Sequence, residues 1–300
     1  MTVETDGTPA SAPAAEPGAR AGASRSGVLM VTGAVMSVQL GAAIAKLIFD
    51  RVGPSGVVLL RLVIASIVLL LVTRPQLRGR SRRDWTVIVA FGTILATMNL
   101  CFYQAVDRLP LGMAVTIELL GPLGLAVGLS RRVPELAWAG LAVVGVVLLG
   151  GGSQRLDGVG VLFALAAALC WAAYILLSAE TGRRFARVDG LSLAMAVGAL
   201  VALPFGIASG GRELLTPTVL LVGAAVAILS STVNYSLELA ALRRLPARAF
   251  GVLMSLSPVA ATLAGFVVLG QRLSLLQLLA VACVIAASAG TVLGSGRTPA

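Results

Sequence analysis

Three ionisable side chains lie inside long apolar stretches of this chain, where a charge needs a chemical or structural reason. Glu118, Arg61 and Lys46 fall at overlapping depths in one half of the predicted membrane. A charge in hydrocarbon costs about 2.5–3.5 kcal/mol on insertion scales, and such residues mark substrate or ion pathways. A carboxylate there binds an ammonium or carries a proton, and a cation holds a carboxylate. We predict that Glu118, the main candidate, pairs with Arg61 or Lys46 around a polar cavity.

Each charged residue also has a purely structural interpretation. Lys46 reaches the outer interface with its long side chain, or pairs with Asp50 one turn on. For Arg61, the alternative is an ion pair without a transport role. A further carboxylate, Glu238, lies near a span end one turn before Arg243. A structural salt bridge is the favoured interpretation of that last pair.

Polar uncharged side chains in the same stretches are further candidates for a substrate-binding or proton-binding site. They are Gln39, Asn99, Tyr103, Trp171, Tyr174, Asn234 and Tyr235. Buried polar groups need partners, and hydrogen bonds between helices supply them as readily as a substrate does. Taken singly, each of these residues is therefore expected to join helices.

Two prolines occupy matching positions in the two halves of the sequence. The stretches 109–122 and 245–258 both begin with Leu-Pro and end in a proline, Pro122 and Pro258. At about 1.5 Å per residue, both prolines lie about 15–16 Å into their helices, close to the bilayer midplane. Paired interruptions at corresponding positions are typical of a transport site. We predict conformational hinges here, although proline also simply kinks packed membrane helices.

Ten apolar segments carry these side chains, and a helix needs about 20 residues to cross a bilayer. Spans 1 to 10 are predicted at 27–48, 55–73, 85–105, 111–129, 136–152, 158–178, 190–209, 217–239, 248–269 and 273–294. The chain is 58% hydrophobic, against roughly 45–50% for soluble domains. We therefore predict an all-α polytopic membrane protein. In span 4, Gly124 and Gly128 predict close helix packing.

Basic residues are distributed unevenly between the odd-numbered and the even-numbered loops. Of 23 Arg and Lys residues, those in odd-numbered loops are Arg51, Arg108, Arg155, Arg212 and Arg272. Most of the others lie in even-numbered loops and the tails, and loops rich in Arg and Lys stay cytoplasmic. Both termini are therefore predicted to be cytoplasmic. The pI of 11.1 reflects this topology, and no nucleic acid is expected as a partner.

The ten spans divide into two halves of five. Because five is odd, tandem copies cross the membrane in opposite senses, which predicts inverted repeats at 27–152 and 153–294 with a site between them. Residues 1–26, rich in Ala, Pro, Gly and Ser, are predicted to form a disordered cytoplasmic tail. Residues 295–300 form the C-terminal tail.

Composition excludes several kinds of site. The chain has no histidine, which removes imidazole catalysis and the commonest metal ligand. Cys101, Cys170 and Cys283 sit singly in separate spans, so neither a metal site nor a disulfide framework is expected. An aspartyl intramembrane enzyme needs paired aspartates, which the spans lack. We predict no enzyme, cofactor or metal. A membrane scaffold is disfavoured because it needs neither intramembrane charge nor paired prolines.

Three stretches resemble the EamA branch of the drug/metabolite transporter superfamily. They are residues 97–124, which contain Ile-Glu-Leu-Leu-Gly-Pro, residues 234–255, which begin Asn-Tyr-Ser-Leu-Glu, and residues 43–49. The resemblance covers about residues 28–293. Within the branch it is closest to exporters of threonine and homoserine in the bacterial inner membrane.

The resemblance implies ten helices in two inverted repeats and a secondary transporter in the inner membrane. The implied substrate is a small polar metabolite, above all a neutral amino acid such as threonine or homoserine, exported with the proton gradient. Export of another metabolite or a toxic amphiphile is the alternative. The residues that match the pattern of the family are Lys46, Arg61, Asn99, Glu118, Pro122, Tyr235, Glu238 and Pro258. Two positions depart from it, because Ser257 and Gln271 stand where relatives have glutamate.

Overall fold

The computed structural model describes residues 17–75, 77, 79–130, 133–150, 157–185, 189–242, 244–245 and 247–294. Within these residues the chain is helical, without strands. The helices are α1 (Pro17–Lys46), α2 (Phe49–Thr73), α3 (Arg82–Arg108), α4 (Leu111–Glu118), α5 (Leu120–Ser130), α6 (Val133–Gly150), α7 (Gly158–Arg184), α8 (Asp189–Gly210), α9 (Pro217–Ala227), α10 (Asn234–Leu242), α11 (Ala247–Met254), α12 (Ser257–Leu269) and α13 (Leu275–Gly294). A 3₁₀ turn, Gly211–Leu215, follows α8, and a π-helical segment, Ile228–Val233, joins α9 to α10.

The described helices have the length and composition of membrane spans. Six stretches are long and apolar enough to cross a bilayer, and three shorter apolar helices accompany them. Large apolar side chains such as Leu71, Leu162 and Leu169 are exposed on the outside of the bundle, as expected of a surface that faces lipid. The prediction of an all-helical polytopic membrane protein is thus confirmed, and the count of ten spans stays a prediction.

The N-terminal helix is longer than span 1. It begins at Pro17, within the predicted tail 1–26. Residues 1–16 and 295–300 lie outside the described part of the chain, so the predicted disorder of the tail stays a prediction.

Local sequence signals set several helix ends. Ser81 and Asp84 form a capping box at the start of α3, each side chain bonding the backbone N–H of the other. Asp157 accepts from the first backbone N–H groups of α7. Gly270 ends α12 with φ of 65°, a left-handed conformation that glycine adopts without strain. These caps satisfy polar groups at the ends of helices that are otherwise apolar.

The matched prolines interrupt both of their spans. Span 4 is divided into α4 and α5 at Leu119, and span 9 into α11 and α12 at residues 255–256. Proline lacks an N–H and crowds the carbonyl four residues earlier, which weakens a helix at that point. For Pro258 that carbonyl belongs to Met254, and it accepts from Ser257 Oγ at 2.6 Å instead. The two interruptions agree with the sequence, and the hinge role stays a prediction.

The bundle packs its helices in long pairs. Helix α2 lies along α8, α3 along α7 and α6 along α13. Helix α1 contacts α10 and α12, and the short α4 contacts both α7 and α12. Large side chains such as Tyr103, Leu62 and Met113 are fully buried where these helices meet. The packing brings the interrupted spans to the centre of the bundle.

Close helix approach in span 4 occurs at Gly121. A Cβ on Gly121 would lie 2.0 Å from the carbonyl oxygen of Ala168 in α7. Among the described residues, nothing lies within 4 Å of a Cβ on Gly124 or Gly128. The prediction of a packing pair at Gly124 and Gly128 was therefore wrong, because spacing alone does not tell which face of a helix meets a neighbour.

We expect Gly121→Ala to destabilise the protein by about 1–3 kcal/mol, the usual cost of overpacking. Gly124→Ala, in the same helix but without a close neighbour, is the matched control and is expected to be nearly neutral. The midpoint of thermal unfolding of each purified variant in detergent measures the difference. Equal midpoints would contradict the close approach of α5 and α7.

Candidate functional site

A central cavity of about 430 Å³ lies among helices from both halves of the chain. Its wall is mostly apolar with a few polar side chains, the usual composition of a small-molecule site. Most of the predicted site residues line it: Gln39, Arg61, Asn99, Glu118, Pro122, Trp171, Tyr174, Asn234 and Glu238. They come from six of the predicted spans, so the packing of the bundle assembles the site.

Arg61 is held in the cavity wall by neutral acceptors. Its Nη1 donates to Asn99 Oδ1 at 2.9 Å and to the Tyr103 hydroxyl at 3.4 Å, and Nη2 donates to Ser230 O at 3.4 Å. Asn99 is oriented in turn by donating from Nδ2 to Leu95 O at 2.8 Å. The Nε atom is buried and has no hydrogen-bond partner among the described residues. The described hydrogen bonds that position the guanidinium therefore all go to neutral groups.

The predicted ion pair of Glu118 does not form in this structure. Among the described residues, no carboxylate lies within 4.0 Å of a nitrogen of Arg61 or Lys46. Glu118 is the last residue of α4 and lines the cavity. Because Pro122 has no N–H, the backbone carbonyl of Glu118 also lacks its helical donor. A carboxylate and a carbonyl without its usual helical donor thus meet at the interruption of span 4.

Lys46 lies outside the cavity, contrary to the prediction. Its Nζ donates to the backbone carbonyls of Val106 and Asp107, in the last turn of α3. The final carbonyls of a helix lack partners and carry partial negative charge, so a lysine there is favourable. Lys46 therefore caps α3, and this side chain is not a cavity residue.

Glu238 is the second carboxylate in the cavity wall. Its polar neighbour is Asn234, one turn earlier on α10. Arg243 lies outside the described residues, so their predicted salt bridge stays a prediction. The side chain of Tyr235 is likewise outside the described part of the chain.

Three other positions named in the sequence analysis lie outside the cavity lining and contact neighbouring helices. The buried Tyr103 contacts the site through its bond to Arg61. Pro258 is buried at the start of α12, while its neighbour Ser257 lines the cavity. Gln271, at the other departure from the family pattern, accepts from the backbone N–H of Leu111 at 3.0 Å. It thereby joins the loop after α12 to the start of α4.

Sequence reasoning missed a group of serines around the cavity. Ser230, Ser255 and Ser288 line it, and Ser255 and Ser288 share a hydrogen bond of 2.8 Å. Ser230 lies in the π-helical segment, as does Ser231, and both hydroxyls are buried without a hydrogen-bond partner in the part of the chain that the structure describes. The run Ser-Ser-Thr at 230–232, in the middle of an apolar span, is the signal that could have pointed to this region.

The arrangement suits recognition of a small zwitterion. One guanidinium, two carboxylates and several neutral hydrogen-bonding groups face one apolar cavity. Within the described ranges, no group of three or more Cys, Asp or Glu side chains is placed to hold a metal ion. The polar groups of the wall can bind a small molecule through charge and hydrogen bonds.

Comparison with known proteins gives a family and close relatives. The sequence profile described as the EamA-like transporter family matches residues 25–151 and 158–293. The threonine/homoserine exporter RhtA of Salmonella typhimurium (strain SL1344) is 38% identical over 279 residues, which cover 91% of this chain and 93% of that exporter. The threonine/homoserine exporter RhtA of Escherichia coli (strain K12) is 37% identical over 269 residues, which cover 89% and 91%.

A solved structure shares the fold. A crystal structure of a protein superposes with a TM-score of 0.63, covering 91% of this chain and 99% of that chain. The two sequences are 21% identical, so this likeness concerns the fold alone.

Proposed function

This chain belongs to the EamA-like transporter family, and from that premise we propose that it exports neutral amino acids of the threonine and homoserine kind. Membership places the chain among multi-pass inner-membrane transporters and not among enzymes. The names of two relatives that match nine-tenths of the chain support the substrate class. The observation that carries the proposal is the cavity, in which Arg61 faces two carboxylates.

We place this cavity between two inverted five-helix repeats, 27–152 and 153–294. The family profile matches the chain twice, once in each half. The packing is consistent with a two-fold axis that exchanges the halves. Such an axis places α7 where α1 was and α3 where α10 was, and both the pair α1 and α10 and the pair α7 and α3 are in contact. The contact of α1 with α12 would become that of α7 with α5, and the contacts of α2 with α8 and of α6 with α13 would map onto themselves. These pairings support the repeat, with the site near its axis.

Arg61 binds the carboxylate of the substrate. Its guanidinium presents five donors in a planar fork, which suits a carboxylate, and its described partners are all neutral. A partly buried charge without a direct ion-pair partner is costly, so an anionic ligand is favoured there. Asn99 and Tyr103 hold the fork in place.

Glu118 and Glu238 bind the ammonium of the substrate and carry the coupled proton. Both line the cavity, and Glu118 ends a helix whose C-terminus carries partial negative charge, which attracts a cation. Where relatives have a third carboxylate, this chain has Ser257, whose hydroxyl donates to Met254 O. Proton coupling therefore falls to the two remaining acids.

The cavity opens toward the cytoplasm in the predicted topology. Lining residues such as Trp171, Glu238 and Ser288 come from the parts of their spans that are predicted to lie nearer the cytoplasm. The outer ends are joined by the bonds of Lys46 to α3 and of Gln271 to α4. Both features support an inward-facing state, ready to take substrate from the cytoplasm. Bending at Pro122 and Pro258 would close the cavity to the cytoplasm and open it to the other side of the membrane.

We expect cells that express the chain to lose labelled threonine and homoserine several-fold faster than cells that carry an empty vector. Preloaded cells are filtered at intervals, and membrane fractions confirm equal production. Labelled glutamate, whose extra carboxylate does not suit the cavity, is the control and should leave both strains at the same rate. Equal efflux of threonine from both strains would overturn the substrate class. Resistance to toxic amphiphiles in the same cells would then favour the alternative exporter.

A further inference from the structure

The π-helical segment Ile228–Val233 presents polar atoms that the bundle does not satisfy. Ser230 is 1% exposed and Ser231 2%, and neither hydroxyl has a partner among the described residues. Gln39 on α1 is 6% exposed, and its Oε1 is also buried and unpartnered. Burying such groups unpaired is costly, so native proteins leave few of them without a structural or functional reason. A π-helical turn inside a helix is itself frequent at functional sites.

Helix α1 holds this segment against the cavity. Ser37 Oγ donates to Leu229 O at 2.7 Å. A Cβ on Gly41 would lie 2.3 Å from Ser230 Oγ, so only glycine leaves room for that hydroxyl. Gln39 and Ser230 both line the cavity, and the Nη2 atom of Arg61 lies 3.4 Å from Ser230 O. Ser230 therefore adjoins, through its backbone carbonyl, the group that we assign to the carboxylate of the substrate, and Gln39 lines the same cavity.

We propose that Ser230 and Gln39 form a subsite that recognises the side-chain hydroxyl of the transported amino acid; this rests on the proposed function. A hydroxyl donates one hydrogen bond and accepts others, so it can donate to Gln39 Oε1 and accept from Ser230 Oγ. An ammonium there would be repelled by Arg61, and a carboxylate would meet the acceptor oxygen of Gln39. With the carboxylate on Arg61, the hydroxyl lies a few covalent bonds away, beside Ser230.

The test compares two amino acids that differ only in this hydroxyl, homoserine and 2-aminobutyrate. Energised inside-out vesicles containing the full chain take up labelled homoserine, and each unlabelled compound competes. The readout is the ratio of the two half-inhibitory concentrations, which does not depend on the amount of protein. We expect the native chain to favour homoserine by about tenfold or more, as for a hydrogen bond to a buried site.

Ser230→Ala should reduce that preference by about tenfold, because the mutant site no longer pairs with the hydroxyl. Gln39→Leu removes the acceptor oxygen at similar side-chain volume and should also reduce the preference for homoserine. It provides a second test if the serine variant is not produced. Ser66→Ala is the control. Ser66 is a buried serine outside the cavity lining, its hydroxyl donates to Val63 O at 2.9 Å, and its loss should leave the ratio unchanged.

Each outcome decides the matter. A native ratio near one, or an unchanged ratio in both variants, overturns the hydroxyl subsite and leaves amino-acid export standing. An absence of homoserine uptake by native vesicles overturns the proposed function, and the subsite with it. A native preference that falls in the two variants and persists in Ser66→Ala supports both.

Discussion

Replacing Arg61 with glutamine is expected to abolish amino-acid export. The guanidinium is fixed by Asn99 and Tyr103, and among the described residues no carboxylate oxygen lies within 4.0 Å of its nitrogens. Removing one partner of a buried, hydrogen-bonded charge pair costs about 2–5 kcal/mol. That corresponds to a loss of affinity of roughly 30- to 5,000-fold. Competition for uptake into inside-out vesicles measures the loss directly.

Two further variants separate charge from geometry and from general damage. Arg61→Lys keeps the charge but loses the planar fork, so we expect affinity between those of the native chain and the glutamine variant. Arg212→Gln removes an exposed arginine in the 3₁₀ turn after α8 and should transport normally. If the glutamine variant transports like Arg212→Gln, the guanidinium has no part in binding.

A change in the substrate shows whether the carboxylate is what Arg61 binds. Threonine amide lacks the negative charge and should compete far less well than threonine for the native chain. In Arg61→Gln the two compounds should compete almost equally, because the group that distinguishes them is gone. If the preference for threonine over its amide survives in the variant, Arg61 is a structural residue. Loss of stability alone cannot produce this pattern, since both competitors meet the same protein.

Much of the fold follows from apolar length and proline position alone. A helix must satisfy its backbone inside the bilayer, so long apolar stretches predict spans whatever their neighbours are. The interruptions at Leu119 and at residues 255–256 follow from the missing N–H of Pro122 and Pro258. These features are local, which is why the sequence was sufficient to predict them.

Contacts between helices were harder to predict. The depth of Lys46 can be counted along its helix, but depth did not distinguish a cavity from the free carbonyls at the end of α3. In the same way, spacing indicated Gly124 as a packing residue, although the close neighbour is at Gly121. Both outcomes depend on which face of each helix meets the next, and that is set by packing of the whole bundle.

The serines were missed for a different reason. Ser230 and Ser231 lie in a segment with π-helical hydrogen bonding, which shifts the register of the faces along span 8. A period of 3.6 residues does not predict such a shift. Sequence analysis found the charged residues of the site because charge in an apolar stretch is conspicuous, whereas a buried serine is common in membrane helices.

Glu118→Gln is expected to uncouple transport from the proton gradient. Glu118 and Glu238 are the described carboxylates in the cavity wall, and Glu118 lies at the interruption of span 4. Glutamine keeps the size and hydrogen bonding of the side chain but carries neither a proton nor a charge through the cycle. The variant should therefore lose uptake against a gradient in energised inside-out vesicles, to the level of vesicles treated with a protonophore.

Glu118→Gln should still exchange internal for external threonine although it no longer transports threonine against a gradient. Counterflow of labelled against unlabelled threonine needs no proton movement, so the variant should retain it if Glu118 serves the proton. If Glu118 instead holds the ammonium of the substrate, counterflow falls together with net uptake. Glu213→Gln, in the exposed 3₁₀ turn after α8, is the matched control and should behave as the native chain does.

A Glu238 variant shows which of the two cavity carboxylates carries the proton and which binds the ammonium of the substrate. Asn234 lies beside Glu238, one turn earlier on the same helix, whereas no described side chain donates a hydrogen bond to Glu118. A carboxylate beside an amide of its own helix is the better fixed anchor for an ammonium, and one without such a neighbour is freer to exchange a proton. We therefore expect Glu238→Gln to lose counterflow as well as net uptake, the opposite of the pattern for Glu118→Gln. Retention of gradient-driven uptake by Glu118→Gln would exclude this carboxylate as the coupling group and leave that role to Glu238.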